Sequence, residues 1–149
     1  MPATIDWQAG PALVPDRALV EAVDAALRLG GRPGLEISVV VVDDPTLCEL
    51  HRLWLDDPTP TDVISFDLGE DLDGPAGEVY VSLDCARRVA TGLGLDPARE
   101  LLLYVVHGVL HLCGFDDRRA EERKTMRAAE RQVMALLGHP ARRAAQPDP

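Results

Sequence analysis

Aromatic residues are scarce in this chain of 149 residues: two Trp, two Tyr and two Phe, 4% of the total. So few rings leave little material for an extended stacking surface of the kind single-stranded nucleic acids use. Cysteine is scarce as well. Cys48, Cys85 and Cys113 are an odd number with no Cys-x-x-Cys pair. That argues against a disulfide framework and reads as reduced thiols in the core of a cytoplasmic protein. No apolar run reaches the roughly eighteen residues a membrane helix needs, so no membrane partner is expected. The opening Met1-Pro2-Ala3-Thr4-Ile5-Asp6-Trp7 has neither a basic stretch nor an apolar core, and does not read as a signal peptide. Positive charge is in deficit: 15 Lys and Arg stand against 25 Asp and Glu, for a net charge of −10. Bulk electrostatics therefore oppose non-specific binding to nucleic acid, although a local basic groove remains compatible.

What is present alternates between strand and helix patterns. Asp16 to Leu29 is amphipathic, with Leu19, Val20, Val23, Ala26 and Leu27 on one side and Gly30-Gly31 as its stop. Leu35 to Val42 is β-branched and becomes continuously apolar, as a central strand does. Asp44-Pro45 opens a helix carrying Leu47, Leu50 and Trp54, with Asp44 as N-cap and Trp54 as a core anchor. Asp62 to Phe66 and Glu78 to Val81 are short strands flanking an acidic loop, and form an antiparallel pair. Ser82 caps a helix to about Ala90, and Asp96-Pro97 opens another. A last amphipathic helix runs from about Arg119 to Leu137, ended by Gly138 and Pro140. Its Arg and Lys residues, in a run from Arg118 to Arg143, read as a solvated face. The pattern predicts one α/β (α+β) domain over residues 1–140. It has a small mixed sheet of about four strands packed by about five helices, followed by a disordered tail over 141–149.

Chemistry is concentrated in His107-Gly108-Val109-Leu110-His111-Leu112-Cys113-Gly114-Phe115-Asp116-Asp117. Two of the chain's four histidines stand at i and i+4, one turn apart on a single helix face. Gly114 can end the helix in a left-handed cap, letting the chain double back and carry Asp116 or Asp117 toward the imidazoles. Two imidazoles and one carboxylate are a usual set for a catalytic zinc that keeps a position open for water. The competing reading makes His107 and His111 ordinary polar residues on a half-buried helix. A metalloprotease helix carries glutamate directly after its first histidine as general base. Gly108 stands there and cannot take a proton, so that chemistry is disfavoured.

The same segment resembles the H-G-x-L-H-L-x-G-F/Y-D-H signature of the YbeY family of bacterial metal-dependent endoribonucleases. Three further stretches match in order: Pro60-Thr61-Asp62-Val63-Ile64-Ser65-Phe66, Gly77-Glu78-Val79-Tyr80-Val81-Ser82-Leu83-Asp84, and Arg99-Glu100-Leu101. Together they cover roughly Ile37 to Met134. The chain departs from the family twice. Asp117 takes the place of the family's third metal-binding histidine, and Leu55 falls where an arginine is typical, with Arg52 one turn earlier as the nearest substitute.

The resemblance implies a zinc-dependent single-strand endoribonuclease of ribosomal RNA maturation and ribosome quality control. One Zn2+ per chain would be held by His107, His111 and Asp117, with Asp116 orienting a histidine. The attacking group would be metal-activated water or, alternatively, the ribose 2′-hydroxyl. Substrate phosphates would meet Arg52, Arg87 and Arg99, within a basic rim that also draws on Arg88, Arg118 and Arg119. The implied partners are ribosomal RNA, the small ribosomal subunit and ribosome-associated proteins that deliver substrate to an acidic enzyme. Two rival readings stand beside it: a non-catalytic ribosome assembly factor with a structural or vestigial metal, and a metal-dependent hydrolase of a small molecule.

Overall fold

Val39 to Val42 form an unbroken apolar run, and the strand they build, β2 (Ile37–Val42), is buried on both faces. Such a strand has to sit inside a sheet. A computed structural model, which describes residues 3–55, 61–70 and 73–139, shows it there. β1 (Ala3–Trp7) and β4 (Gly77–Ser82) flank β2 in parallel. β3 (Val63–Asp67) closes the edge antiparallel to β4, giving the order β1-β2-β4-β3. The antiparallel pair is the one expected. β1 went unread in the sequence, although Ala3, Ile5 and Trp7 alternate with more exposed partners as an edge strand requires.

Side chains of alternating direction split the core in two. Ile37, Val39, Val41, Val79 and Val81 meet α1 (Asp16–Leu29), α3 (Leu83–Leu93), α4 (Pro97–Leu112) and α5 (Ala120–Leu136) in the larger cluster. Val40, Val42 and Ile64 project to the other face, where Leu47 and Leu50 of α2 (Asp44–Leu55) cover them. Trp54, expected in that core, instead exposes 69% of its surface and meets the Phe66 ring edge to face. The N-cap of α2 is also one residue earlier than expected. The Asp43 carboxylate accepts the Thr46 N–H at 2.9 Å. Asp44 is already helical and accepts from Ser82 and Arg88 instead. The caps expected from Ser82 and Asp96 are present, accepting from Cys85 and Ala98. The side chain of Leu55 and the tail over 141–149 lie outside the described residues.

α4 is apolar almost all round, and it packs against α1, α3, α5 and the β3–β4 edge. Gly108 sets how closely it lies on the sheet. A methyl group there would stand 2.6 Å from Val79 Cγ1 and 2.9 Å from Ser65 Oγ. Ser65 uses the proximity, donating its hydroxyl to the Gly108 carbonyl at 2.8 Å. Arg99 and Glu100 stand in the first turn of α4, and towards its C-terminal end His107 is half-buried and His111 exposed.

Candidate metal centre

α4 ends at Leu112, and Gly114 adopts φ 103°, a left-handed conformation that glycine takes without strain. The chain turns back as the sequence suggested and brings Asp116 and Asp117 beside the histidines. Donor atoms of His111, Asp116 and Asp117 all lie within 4.8 Å of one another. His107 joins through Asp117, its Nε2 standing 3.3 Å from Asp117 Oδ2. Asp117 is therefore the member common to both contacts. Asp116 is partly engaged already: its Oδ1 accepts the Asp117 N–H at 2.8 Å and lies 3.8 Å from Arg118 Nε.

Each imidazole is oriented through its other nitrogen. His107 Nδ1 lies 2.8 Å from Glu130 Oε2, and His111 Nδ1 lies 2.9 Å from the Phe115 carbonyl. A carbonyl oxygen can only accept, so His111 carries its proton on Nδ1 and leaves Nε2 with a lone pair. The Glu130 carboxylate places the His107 proton in the same way. Such partners are what metal-binding histidines usually show. The 3.3 Å between His107 Nε2 and Asp117 Oδ2 also suits the donor set. Two ligands each about 2.0–2.1 Å from one ion at a tetrahedral angle stand about 3.3–3.4 Å apart. A divalent cation thus fits the His111, Asp116 and Asp117 group, with His107 outside that group and reached through Asp117.

A cavity of about 230 Å3 opens beside this cluster, lined by His107, Asp117, Asp62, Tyr104, Glu130 and Arg127 among others. Burial alone would lower the basicity of His107. The hydrogen bond that His107 donates to Glu130 and the charges of Glu130, Asp62 and Asp117 outweigh it and hold the imidazole above its ordinary range. Asp62 lines the same cavity. Its burial raises its pKa, a shift tempered by His107. Tyr104 is buried nearby, and desolvation, with its contact to Cys85 at 3.6 Å, raises its hydroxyl far above the usual range.

The arginines expected to meet substrate are placed elsewhere. Arg52 pairs with Glu49 at 2.5 Å on α2, and Arg87 donates to the Pro11 carbonyl at 3.4 Å. Arg99 lies at the start of α4, 14% exposed and 3.9 Å from Glu100. None of the three lines the cavity; Arg123 and Arg127 of α5 do. Glu130 was not singled out in the sequence. Its signal is a carboxylate on the apolar face formed by Met126, Ala129, Val133 and Met134, where an acid needs a partner.

The model of the family described as Endoribonuclease YbeY matches residues 15–138. The chain belongs to the YbeY family. Among YbeY relatives, Endoribonuclease YbeY of Protochlamydia amoebophila is 40% identical over 105 residues, covering 68% of this chain and 70% of that protein. Endoribonuclease YbeY of Azorhizobium caulinodans is 38% identical over 138 residues, covering 87% of each. The solution structure of TM1509 from Thermotoga maritima superposes with a TM-score of 0.58 over 90% of both chains. At 24% identity that likeness speaks for the fold. Membership in YbeY favours an endoribonuclease over the non-catalytic assembly factor, and the group of His111, Asp116 and Asp117 gives metal binding a place. No described helix is long and apolar enough to cross a membrane.

Proposed function

We propose that this chain is a metal-dependent endoribonuclease of ribosomal RNA maturation, with one zinc ion held by His107, His111 and Asp117. The observation that carries the proposal is the orientation of the two imidazoles. Both have their Nδ1 engaged, by Glu130 and by the Phe115 carbonyl, which leaves Nε2 of each for an ion next to Asp117. A divalent cation there supplies a Lewis acid that acidifies water and offsets charge on the phosphate oxygens.

The protein's own groups do the rest. Glu130 fixes the tautomer and ring plane of His107. The left-handed turn at Gly114 brings the Phe115 carbonyl to His111 and the carboxylates to both rings. Leu103, Tyr104 and Met126 give the cavity an apolar wall, and Asp62, close enough for its charge to bear on His107, lines it as well. Gly108 in the position of a protease's general base, packed against Val79, leaves no room for a glutamate. We assign the protein to the cytoplasm, acting on ribosomal RNA of the small ribosomal subunit, where ribosome-associated proteins would bring substrate to an acidic surface of net charge −10.

Metal analysis of protein never exposed to chelator, paired with cleavage of a single-stranded RNA, tests the reading. It predicts close to one zinc per chain and loss of both metal and cleavage in His111→Ala. Metal far below one per chain, or cleavage surviving the substitution in clean preparations, would overturn it.

A further inference from the structure

The cavity beside the metal centre is lined by three carboxylate residues, Asp62, Asp117 and Glu130, together with Arg123 and Arg127. Two of the three carboxylates have a task at His107. Glu130 lies 2.8 Å from its Nδ1 and Asp117 lies 3.3 Å from its Nε2. Both ring nitrogens are thereby accounted for, so Asp62, whose charge also bears on His107, does not orient the ring. Nor does Asp62 belong to the group of His111, Asp116 and Asp117, whose donor atoms lie together for an ion.

The main chain holds Asp62 in place. Its carbonyl accepts the Ser82 N–H at 3.1 Å, one rung beyond the β3–β4 ladder that starts at Val63 and Val81. Its carboxylate interacts with the main-chain N–H groups of Asp62 itself and of Val63. Further along β3, Ser65 is bonded to the Gly108 carbonyl, which fixes the strand against the helix that carries His107. An ionised carboxylate offers about four lone-pair positions and no proton. With two amides served, acceptor capacity remains for a ligand in the cavity.

The chemistry of this wall sorts the parts of a nucleotide. Phosphate oxygens only accept and carry negative charge, so Arg123 and Arg127 complement them and Asp62 repels them. Asp62 complements a donor. In an RNA strand the donors are base N–H groups and the ribose 2′-hydroxyl, and the hydroxyl sits on the carbon next to the one bearing the 3′ phosphate. A phosphate drawn to the metal centre therefore carries the hydroxyl into the cavity with it, whereas the base edge lies on the far side of the sugar. We infer that Asp62 accepts a hydrogen bond from the ribose 2′-hydroxyl beside the phosphate at the metal centre, and so makes the cavity select RNA over DNA. The inference rests on the ribonuclease reading above and adds the residue that recognises the sugar. A deoxyribose would leave this carboxylate facing carbon, an acceptor taken from water with nothing in return.

The test uses the zinc-loaded full chain and labelled single-stranded 12-mers of A and C that carry either ribose or 2′-fluoro sugars. Fluorine keeps an RNA-like sugar shape but has no proton to donate. Binding is read by stopped-flow anisotropy within the first turnover, and cleavage of the ribose strand is followed separately. Wild type should bind the ribose strand about tenfold more tightly, the yield of one hydrogen bond to a charged group. Asp62→Ala should lose that preference by weakening ribose binding alone. Asp62→Asn keeps a neutral acceptor of the same shape and should retain about threefold, since neutral hydrogen bonds are roughly half as strong. That variant decides the matter on its own if the alanine variant does not fold. Equal weakening of both strands in Asp62→Ala, or a wild type indifferent to the sugar, would overturn the assignment, and cleavage by wild type would then leave the nuclease reading standing. A ribose preference that depends on Asp62, in a protein that cleaves nothing, would keep the assignment and remove the nuclease. A preference undiminished in both variants would place sugar recognition elsewhere.

Discussion

The carboxylate of Glu130 on α5 lies 2.8 Å from Nδ1 of His107 on α4, and only 11% of that carboxylate side chain is exposed. An acid so placed fixes both the tautomer and the plane of the ring, and makes the far nitrogen a better donor to a cation. Glu130→Gln keeps an oxygen that can accept from Nδ1 but removes the charge. Metal affinity is expected to fall by about 10- to 100-fold, the usual cost of losing such a partner. Competition against a chromophoric chelator measures it, and an unchanged affinity would reduce Glu130 to a packing residue.

The same carboxylates set a pH dependence. His107 has its pKa raised above 6.5 in the folded protein, because Glu130, Asp62 and Asp117 together outweigh its burial. A raised pKa means that the metal-free fold binds a proton more tightly than the unfolded chain. The stabilisation is complete below the unfolded value of about 6.5 and is lost as pH rises through the folded value. Zinc competes for the same nitrogen and gains as the proton leaves. Melting of chelator-treated protein should therefore move to lower temperature from pH 6 upward, while the zinc-dependent increment grows. A metal-free melting temperature that climbed over that range would contradict the arrangement.

Much of this could be read in the sequence, and the reasons differ by element. The Val39–Val42 run admits only an interior strand, and Ser82 and Asp96-Pro97 are caps whose chemistry is local, so each was legible. The loop after α4 was legible because a glycine stop dictates a reversal. What stayed hidden depends on how elements pack. Glu130 lies 23 residues from His107, and only the rotation of α5 against α4 joins them. That rotation also decides that Arg123 and Arg127 face the cavity, whereas Arg52, chosen for its nearness to Leu55, and Arg87 and Arg99, expected in a basic rim, do not. Asp43 and Asp44 are equivalent cap candidates on paper. The partners Ser82 and Arg88, which come from a distant helix start, claim the second.

Gly108 offers a test of packing. Alanine at an internal helix position ordinarily gains about 0.5–1 kcal/mol over glycine. Here the added methyl meets Val79 Cγ1 at 2.6 Å and Val63 Cγ2 at 3.0 Å. Overpacking of that kind costs about 1–3 kcal/mol, so it wins. Gly108→Ala should lower the melting temperature by a few degrees, at about 2–4 °C per kcal/mol for a domain of this size. Ser65→Ala, which removes only the hydroxyl bound to the Gly108 carbonyl, should cost about 1 kcal/mol. A stabilised Gly108→Ala would mean that α4 does not lie this close to β3 and β4.

Acid sensitivity away from the metal centre should trace in part to Asp44. Desolvation pushes its carboxyl up, but the Ser82 hydroxyl at 2.5 Å and the Arg88 guanidinium at 2.7 Å prevail and hold it below the usual carboxylate range. A depressed pKa means that the contribution is present above the unfolded value of about 3.9 and is lost as pH falls through the folded one. Asp44→Asn keeps an acceptor for Ser82 and abolishes the titration. The variant should be less stable than wild type at pH 7, where Arg88 loses its counter-charge, and the difference should shrink as pH falls below 4. Denaturant melts at pH 7, 5 and 3 resolve the trend. A gap that stayed constant over those values would show that Asp44 acts through packing alone and that its charge does not tie α2 to the start of α3.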